Sequence, residues 1–311
     1  MNRLPPWLEA SYAGLVAELD SGRLPHALLV HGPGGWGETV LAETLALRLI
    51  DRVATDTNGA SIAHPDLRWI VPEGAGEQIG IDAVRAVAEF AVRTAQIAPR
   101  KVAVITNADA MNGYSANALL KTLEEPPADS YLILVTDALR DLLPTLRSRC
   151  RLIPVRPPAG DVVVAWIRER APSATPEQIA QLFFEYGGAP YRVLAALERD
   201  EQPISTALCS VAAGQTNPLS LAETWAKTGG SELVDRWMRY VARAMSIRRL
   251  AGSSTEDPVA RSIEKASDRQ LIDLWEQLAR DRQLLRGTTN PNVRLLFETR
   301  LLAWRNLTLP V

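Results

Sequence analysis

Cysteine is nearly absent from this chain: Cys150 and Cys209 are the only two among its 311 residues. Two thiols cannot build a four-cysteine zinc site or a disulfide framework, so no zinc and a reduced compartment are expected. Histidine is as scarce, and His26, His31 and His64 do not share metal-ligand spacing. No apolar run reaches the ~18–20 residues that span a bilayer. The opening Met-Asn-Arg-Leu-Pro-Pro-Trp lacks the apolar stretch of a secretion signal, which makes a cytoplasmic protein the expectation. Neither sign of charge dominates. A net charge of −2 gives no global attraction to nucleic acid or to an anionic membrane, so any contact with DNA must be local or shared with partners.

What remains is ordinary globular composition, 47% hydrophobic and 23% charged, with room for two or three domains. The first half alternates short apolar runs with helical patterns, as a parallel α/β sheet requires. Strands are expected at Ala27–His31, Leu67–Val71, Lys101–Ile105, Tyr131–Val135 and Arg151–Val155. Helices are expected at Thr39–Leu49, Ile81–Ala95 and Ser115–Leu123, the last stopped by Pro126 and Pro127. After Pro157 and Pro158 the strands disappear. Thr175-Pro176-Glu177-Gln178 is a helix start with a Thr cap, and Gly187-Gly188 ends that helix. Longer helices follow at Ser231–Leu250, Asp268–Leu285 and Asn290–Leu307, the last opening on an Asn290 cap and Pro291. The expected architecture is an α/β core over residues 1–157, a small helical lid over 158–202 and an all-helical domain over 203–311.

Between the first strand and its helix stands Gly32-Pro33-Gly34-Gly35-Trp36-Gly37-Glu38-Thr39. It fits the phosphate-loop pattern G-x-x-x-x-G-K-[ST] everywhere but at the lysine. The glycines let backbone N–H groups curl around a phosphate at a helix N-terminus, but the residue that should reach the β- and γ-phosphates is Glu38. At ~4 Å and an effective dielectric of about 20 a charge pair is worth roughly 4 kcal/mol, so the exchange turns attraction into repulsion of similar size. Glu38 would instead suit the positive end of its own helix. The bland alternative is a glycine-rich strand–helix turn with no nucleotide history. Weak or absent nucleotide binding is expected.

A working phosphate-loop enzyme also needs carboxylates at the end of a later strand, to hold Mg²⁺ and orient water. Here Val102-Ala103-Val104-Ile105 runs into Thr106-Asn107, and Asp109 reads as a cap of the next segment. Two independent losses predict a chain that does not hydrolyse ATP.

Asn117-Ala118-Leu119-Leu120-Lys121-Thr122-Leu123-Glu124-Glu125-Pro126-Pro127, followed by Leu146-Arg147-Ser148-Arg149-Cys150, resembles subunits of the bacterial DNA polymerase III clamp loader, of the AAA+ class. Arg23-Leu24-Pro25-His26-Ala27 and His64-Pro65-Asp66 are similar to the same family. The likeness covers about residues 20–200; beyond that it rests on helical content and length. The resemblance implies an AAA+ core, a lid and a C-terminal collar, with γ/τ and δ subunits as partners. The sliding clamp and primer–template DNA would be reached through the complex. It also implies that Arg149 is an arginine finger reaching a neighbouring subunit's ATP, with Ser148 as its motif neighbour. A guanidinium offers a permanently charged fork of donors to phosphate oxygens. Without the resemblance, Arg149 reads as a surface arginine at a strand entry.

Thr136 falls where such proteins place a polar residue that senses the γ-phosphate, although a strand-capping role suits it here. Arg192 lies near the family's second sensing arginine and reads as a helix-start residue. Cys150 reads as a buried packing residue. One departure is plain: many family members carry a four-cysteine zinc module after the phosphate-loop helix, and Asp51–Ala63 is short and cysteine-free. Arg100-Lys101 and the arginines at 239, 243, 248 and 249 are candidate phosphate contacts or simply a solvated helix face. The competing expectations are an active AAA+ ATPase and a nucleotide-sensing regulator of DNA transactions.

Overall fold

Five short strands assemble side by side; the three inner ones are almost wholly buried, while the two at the edges are partly exposed. In chain order the five are β1 (Ala27–His31), β2 (Leu67–Ile70), β3 (Lys101–Ile105), β4 (Ser130–Thr136) and β5 (Arg151–Pro154). In the computed structural model, which describes residues 4–52, 62–72, 78–228, 230–251, 263, 265–286 and 291–308, they form one parallel sheet in the order β2-β3-β4-β1-β5. Strand β1 lies between β4 and β5, pairing Leu29 with Leu134 on one side and with Leu152 on the other. Every residue of β3 is buried, as a strand covered on both faces must be.

Crossover helices return the chain between strands: α2 (Glu38–Leu49), α3 (Ile81–Val92) and α4 (Gly113–Glu124). Helix α1 (Pro6–Asp20), not foreseen from the sequence, starts on Pro5-Pro6 and buries Leu8, Leu15 and Leu19. Helix α3 stops short of the expected Ala95. The reason lies just before β2, where the Asp66 carboxylate accepts the N–H groups of Gln96, Ile97 and Ala98 at 2.7, 2.8 and 2.8 Å. Those bonds hold the chain that follows the helix in a non-helical path. Helix α4 starts earlier than expected because the Asn112 side chain caps it, accepting the Ser115 N–H at 2.9 Å. A single turn, α5 (Pro144–Arg147), delivers the chain to β5.

The chain divides into two compact units, Met1–Val162 and Val163–Val311, with the division inside α6 (Gly160–Arg170). In the second unit α7 (Pro176–Glu185) opens on Thr175, whose hydroxyl accepts the Gln178 N–H at 3.2 Å. Gly187 and Gly188, at φ 63° and 83°, then turn the chain into α8 (Pro190–Glu198). Helices α9 (Ile204–Ala212), α10 (Pro218–Thr228), α11 (Gly230–Ala251), α12 (Asp268–Arg286) and α13 (Val293–Thr308) follow. Asn290 lies outside the described residues; the cap of α13 is Asn292, which accepts the Leu295 N–H at 3.0 Å.

Aromatic rings centre this unit. Trp237 meets Trp225 and Trp304 edge-on at 5.6 and 6.2 Å, and the Trp304 indole donates to the Leu208 carbonyl at 2.9 Å. The limit expected near residue 202 is crossed by a buried ionic knot. Arg236 of α11, 1% exposed, donates to Glu185 of α7 at 2.6 Å and also pairs with Glu201. Glu185 in turn accepts the N–H groups of Ile204 and Ser205 at the start of α9. The helices before and after residue 202 are therefore pinned to one another.

Candidate functional site

Gly32 follows β1 directly, and its N–H donates to the carbonyl of Thr136 at the end of β4. Gly34, Gly35 and Gly37 take φ of 84°, 78° and 102°, a left-handed run that only glycine adopts cheaply. The chain curls so that backbone N–H groups converge in front of α2, the geometry that binds a phosphate. What they meet is the first side chain of that helix. The Glu38 carboxylate turns back into the loop, its Oε1 accepting the Gly34 N–H at 3.0 Å and its Oε2 the Trp36 N–H at 2.9 Å. It is 5% exposed. Thr39, by contrast, is exposed. The loop is held from outside as well, because the Trp7 indole of α1 donates to the Trp36 carbonyl at 2.8 Å. Burial holds the half-buried His31 imidazole below its ordinary pKa, against the opposing pull of Glu38.

The end of β3 holds no carboxylate directed at this loop. Thr106 is buried and its N–H and hydroxyl both donate to the Ile70 carbonyl, at 3.0 and 3.3 Å. Asn107 takes a left-handed φ of 51°. Asp109 sits in the middle of the turn Ala108–Ala110 and caps nothing: it accepts the Thr136 hydroxyl at 2.6 Å, while Thr136 accepts the Ala138 N–H. Thr136 thus ties the end of β4 to the turn after β3.

Arg149 lies at the other end of the sheet. Ser148 closes the α5 turn, its hydroxyl donating to the Thr145 carbonyl at 3.0 Å. The Arg149 guanidinium donates to that same carbonyl at 3.1 Å and to Glu124 Oε1 through Nε and Nη2, at 2.8 and 2.6 Å. Both side chains are well exposed. The pairing with Glu124 was not foreseen, although Glu124 stands in the Glu-Glu-Pro-Pro string, because no spacing rule joins residues so far apart. Cys150 is buried, which pushes its thiol pKa up to about 11, the setting of a packing residue.

The parallel register separates the two features. β5 begins with Arg151 level with Leu28, four residues or roughly 13 Å short of Gly32 at the rise of a strand, and Arg149 lies still further back. The phosphate loop stands at the carboxyl edge of the sheet and Arg149 at the amino edge. Arg192 belongs to the first turn of α8, in the second unit.

Four of the basic residues weighed as phosphate contacts have work inside the protein. Lys101 is buried with its ammonium 4.1 Å from the Phe90 ring centre. Arg239 donates to the Glu185 carbonyl at 2.9 Å, Arg243 stacks over Phe184, and Arg248 donates to the Ala266 carbonyl. The Arg249 side chain lies outside the described residues. Among those residues no group of three His, Cys, Asp or Glu is placed to hold a metal ion, and no helix is long and apolar enough to cross a membrane.

The chain is similar to known proteins over nearly its whole length. Residues 8–159 match the family described as DNA polymerase III, delta subunit. DNA polymerase III subunit delta′ of Pseudomonas aeruginosa is 30% identical, over 99% of both chains. The same subunit of Escherichia coli is 34% identical over 67% of this chain and 65% of its own length. The crystal structure of a DNA polymerase III gamma subunit-related protein from Thermotoga maritima superposes with a TM-score of 0.55 at 17% identity. It covers 97% of this chain and 99% of that one, a likeness that shows the shared fold alone.

Proposed function

The chain belongs to the DNA polymerase III subunit delta′ family, with an AAA+ core followed by helical structure, and from that membership we propose that it is a non-hydrolysing member of the clamp loader that lends Arg149 to a neighbour's ATP. One observation carries the reading: an exposed arginine stands at the amino edge of the sheet while the chain's own phosphate loop stands at the carboxyl edge. Arg149 cannot reach its own loop, so the phosphate it serves belongs to another subunit. A guanidinium supplied in trans stabilises the charge of phosphoryl transfer and is worth roughly 10³–10⁵ in rate at the site it completes.

In this role Glu38 in place of the phosphate-loop lysine, and Thr106-Asn107 in place of the strand-end carboxylates, leave the chain without its own hydrolytic cycle. A subunit that does not cycle nucleotide keeps one preferred conformation, against which ATP-bound neighbours move. Its partners in this reading are the γ/τ and δ subunits, with the sliding clamp and primer–template DNA handled by the whole assembly in the cytoplasm. The helices after residue 203 would form the collar that holds the subunits together, beyond the lid of residues 158–202.

The test is Arg149→Ala in a reconstituted complex. Assembly, followed by size-exclusion chromatography, should be unchanged because the side chain is exposed and its ion pair is a surface one. DNA-stimulated ATP hydrolysis should fall severalfold. Unchanged hydrolysis in a fully assembled complex would refute the finger.

A further inference from the structure

We propose that the Glu38 carboxylate is an intramolecular ligand that occupies the phosphate cradle and holds the loop permanently in its liganded shape. Nucleotide is then excluded by occupancy, and the cradle itself stays intact as an anion site. A loop that had simply lost its lysine would keep its glycine turns but leave its N–H groups to solvent. Here the amides of Gly34 and Trp36 are each satisfied by a different oxygen of one carboxylate, at 3.0 and 2.9 Å. That side chain is 5% exposed, so the interaction is a built contact and not a surface accident. An isolated buried carboxylate is costly unless hydrogen-bonded, and the loop supplies what a phosphate would receive: two N–H donors and the positive end of α2.

The fit is close on the far side too. A Cβ placed on Gly32 would lie 2.2 Å from Glu38 Oε1, so the first glycine of the loop makes room for the carboxylate. Trp7 anchors the loop through the Trp36 carbonyl. This inference concerns the isolated chain and does not depend on Arg149; its failure would leave the finger untouched, and the converse holds.

The experiment follows thermal unfolding of the purified chain with and without inorganic phosphate, against sodium chloride of equal ionic strength. Glu38→Ala should lower the unfolding temperature by roughly 4–8 °C, and phosphate at tens of millimolar should restore part of the loss. Wild type should show no phosphate-specific rise. Glu38→Gln, which keeps one accepting oxygen and the side-chain volume, should fall in between and covers the case in which the alanine variant does not fold.

A second readout is Gly32→Ala made in the wild-type chain and in the Glu38→Ala variant. It should cost several degrees in the wild type and much less in the variant, since the obstacle is the carboxylate itself. Three results would overturn the proposal: a Glu38→Ala variant as stable as wild type, a destabilised one that ignores phosphate, or a wild-type chain that responds to phosphate as strongly as the variant. Equal costs of Gly32→Ala in the two backgrounds would do the same.

Discussion

Asp66 shows how one side chain shapes a segment thirty residues away. Burial alone would push its carboxyl upward, but the N–H groups of Ala98, Gln96 and Ile97, with help from His64, outweigh this and hold it below the ordinary carboxylate value. A folded-state pKa lower than the unfolded one means that the contribution is complete above the unfolded value. It is lost as pH falls through the folded one, a window below about pH 4. Asp66→Asn should therefore cost about 2 kcal/mol at neutral pH, because an amide presents one acceptor where the carboxylate presents two. Its deficit against wild type should shrink between pH 5 and the acid limit of folding, as read by urea denaturation. A deficit that stays constant across that range would contradict the assignment. His64-Pro65-Asp66 was legible beforehand only as a resemblance, because which amides Asp66 would meet is a property of the folded loop.

At the scale of elements, the strands of the sheet were legible almost to the residue, since Ala27–His31 and Lys101–Ile105 are apolar runs between turn signals. The helices were legible where apolar spacing marks them, capped as at Thr175 or uncapped as in α2 and α3, and α1 escaped notice. Helix α1 carries no side-chain cap and begins on two prolines. The knot of Arg236 with Glu185 and Glu201 was equally hidden, because its members are scattered through α7, the turn after α8 and α11. Burial also pushes the adjacent Tyr186 phenol upward, and that phenol donates to Glu201 at 2.9 Å. Arg236→Ala would strand the buried Glu185 without its counter-charge, an outcome worth about 3–5 kcal/mol of destabilisation by chemical denaturation. A loss below about 1 kcal/mol would mean that the knot is dispensable.

For the whole molecule, the position of two features on one parallel sheet matters more than either feature alone. A parallel sheet places every strand's carboxyl end on one edge, and the phosphate loop must stand there. Arg149 precedes β5 and so must stand on the opposite edge. The purified chain should accordingly show no steady ATP turnover above that of a mock preparation, in a phosphate-release assay with magnesium present. Turnover that copurifies with the chain and responds to Glu38 substitution would defeat the reading of a non-hydrolysing subunit.

The sequence by itself determined the strand–helix alternation, the glutamate at position 38 after the glycine-rich turn, the Thr106-Asn107 pair at a strand end and the Ser148-Arg149-Cys150 triplet. These follow from residue type and local spacing, which need no partner to be read. Only the tertiary structure decided what replaces the missing chemistry. Glu38 folds back on the amides ahead of it, Asp109 turns to Thr136, Arg149 rests on Glu124, and Arg236 binds the helices on either side of residue 202 into one unit. Each of these is a choice of hydrogen-bond partner, and partners are settled by which groups the packed chain leaves within about three ångströms of one another.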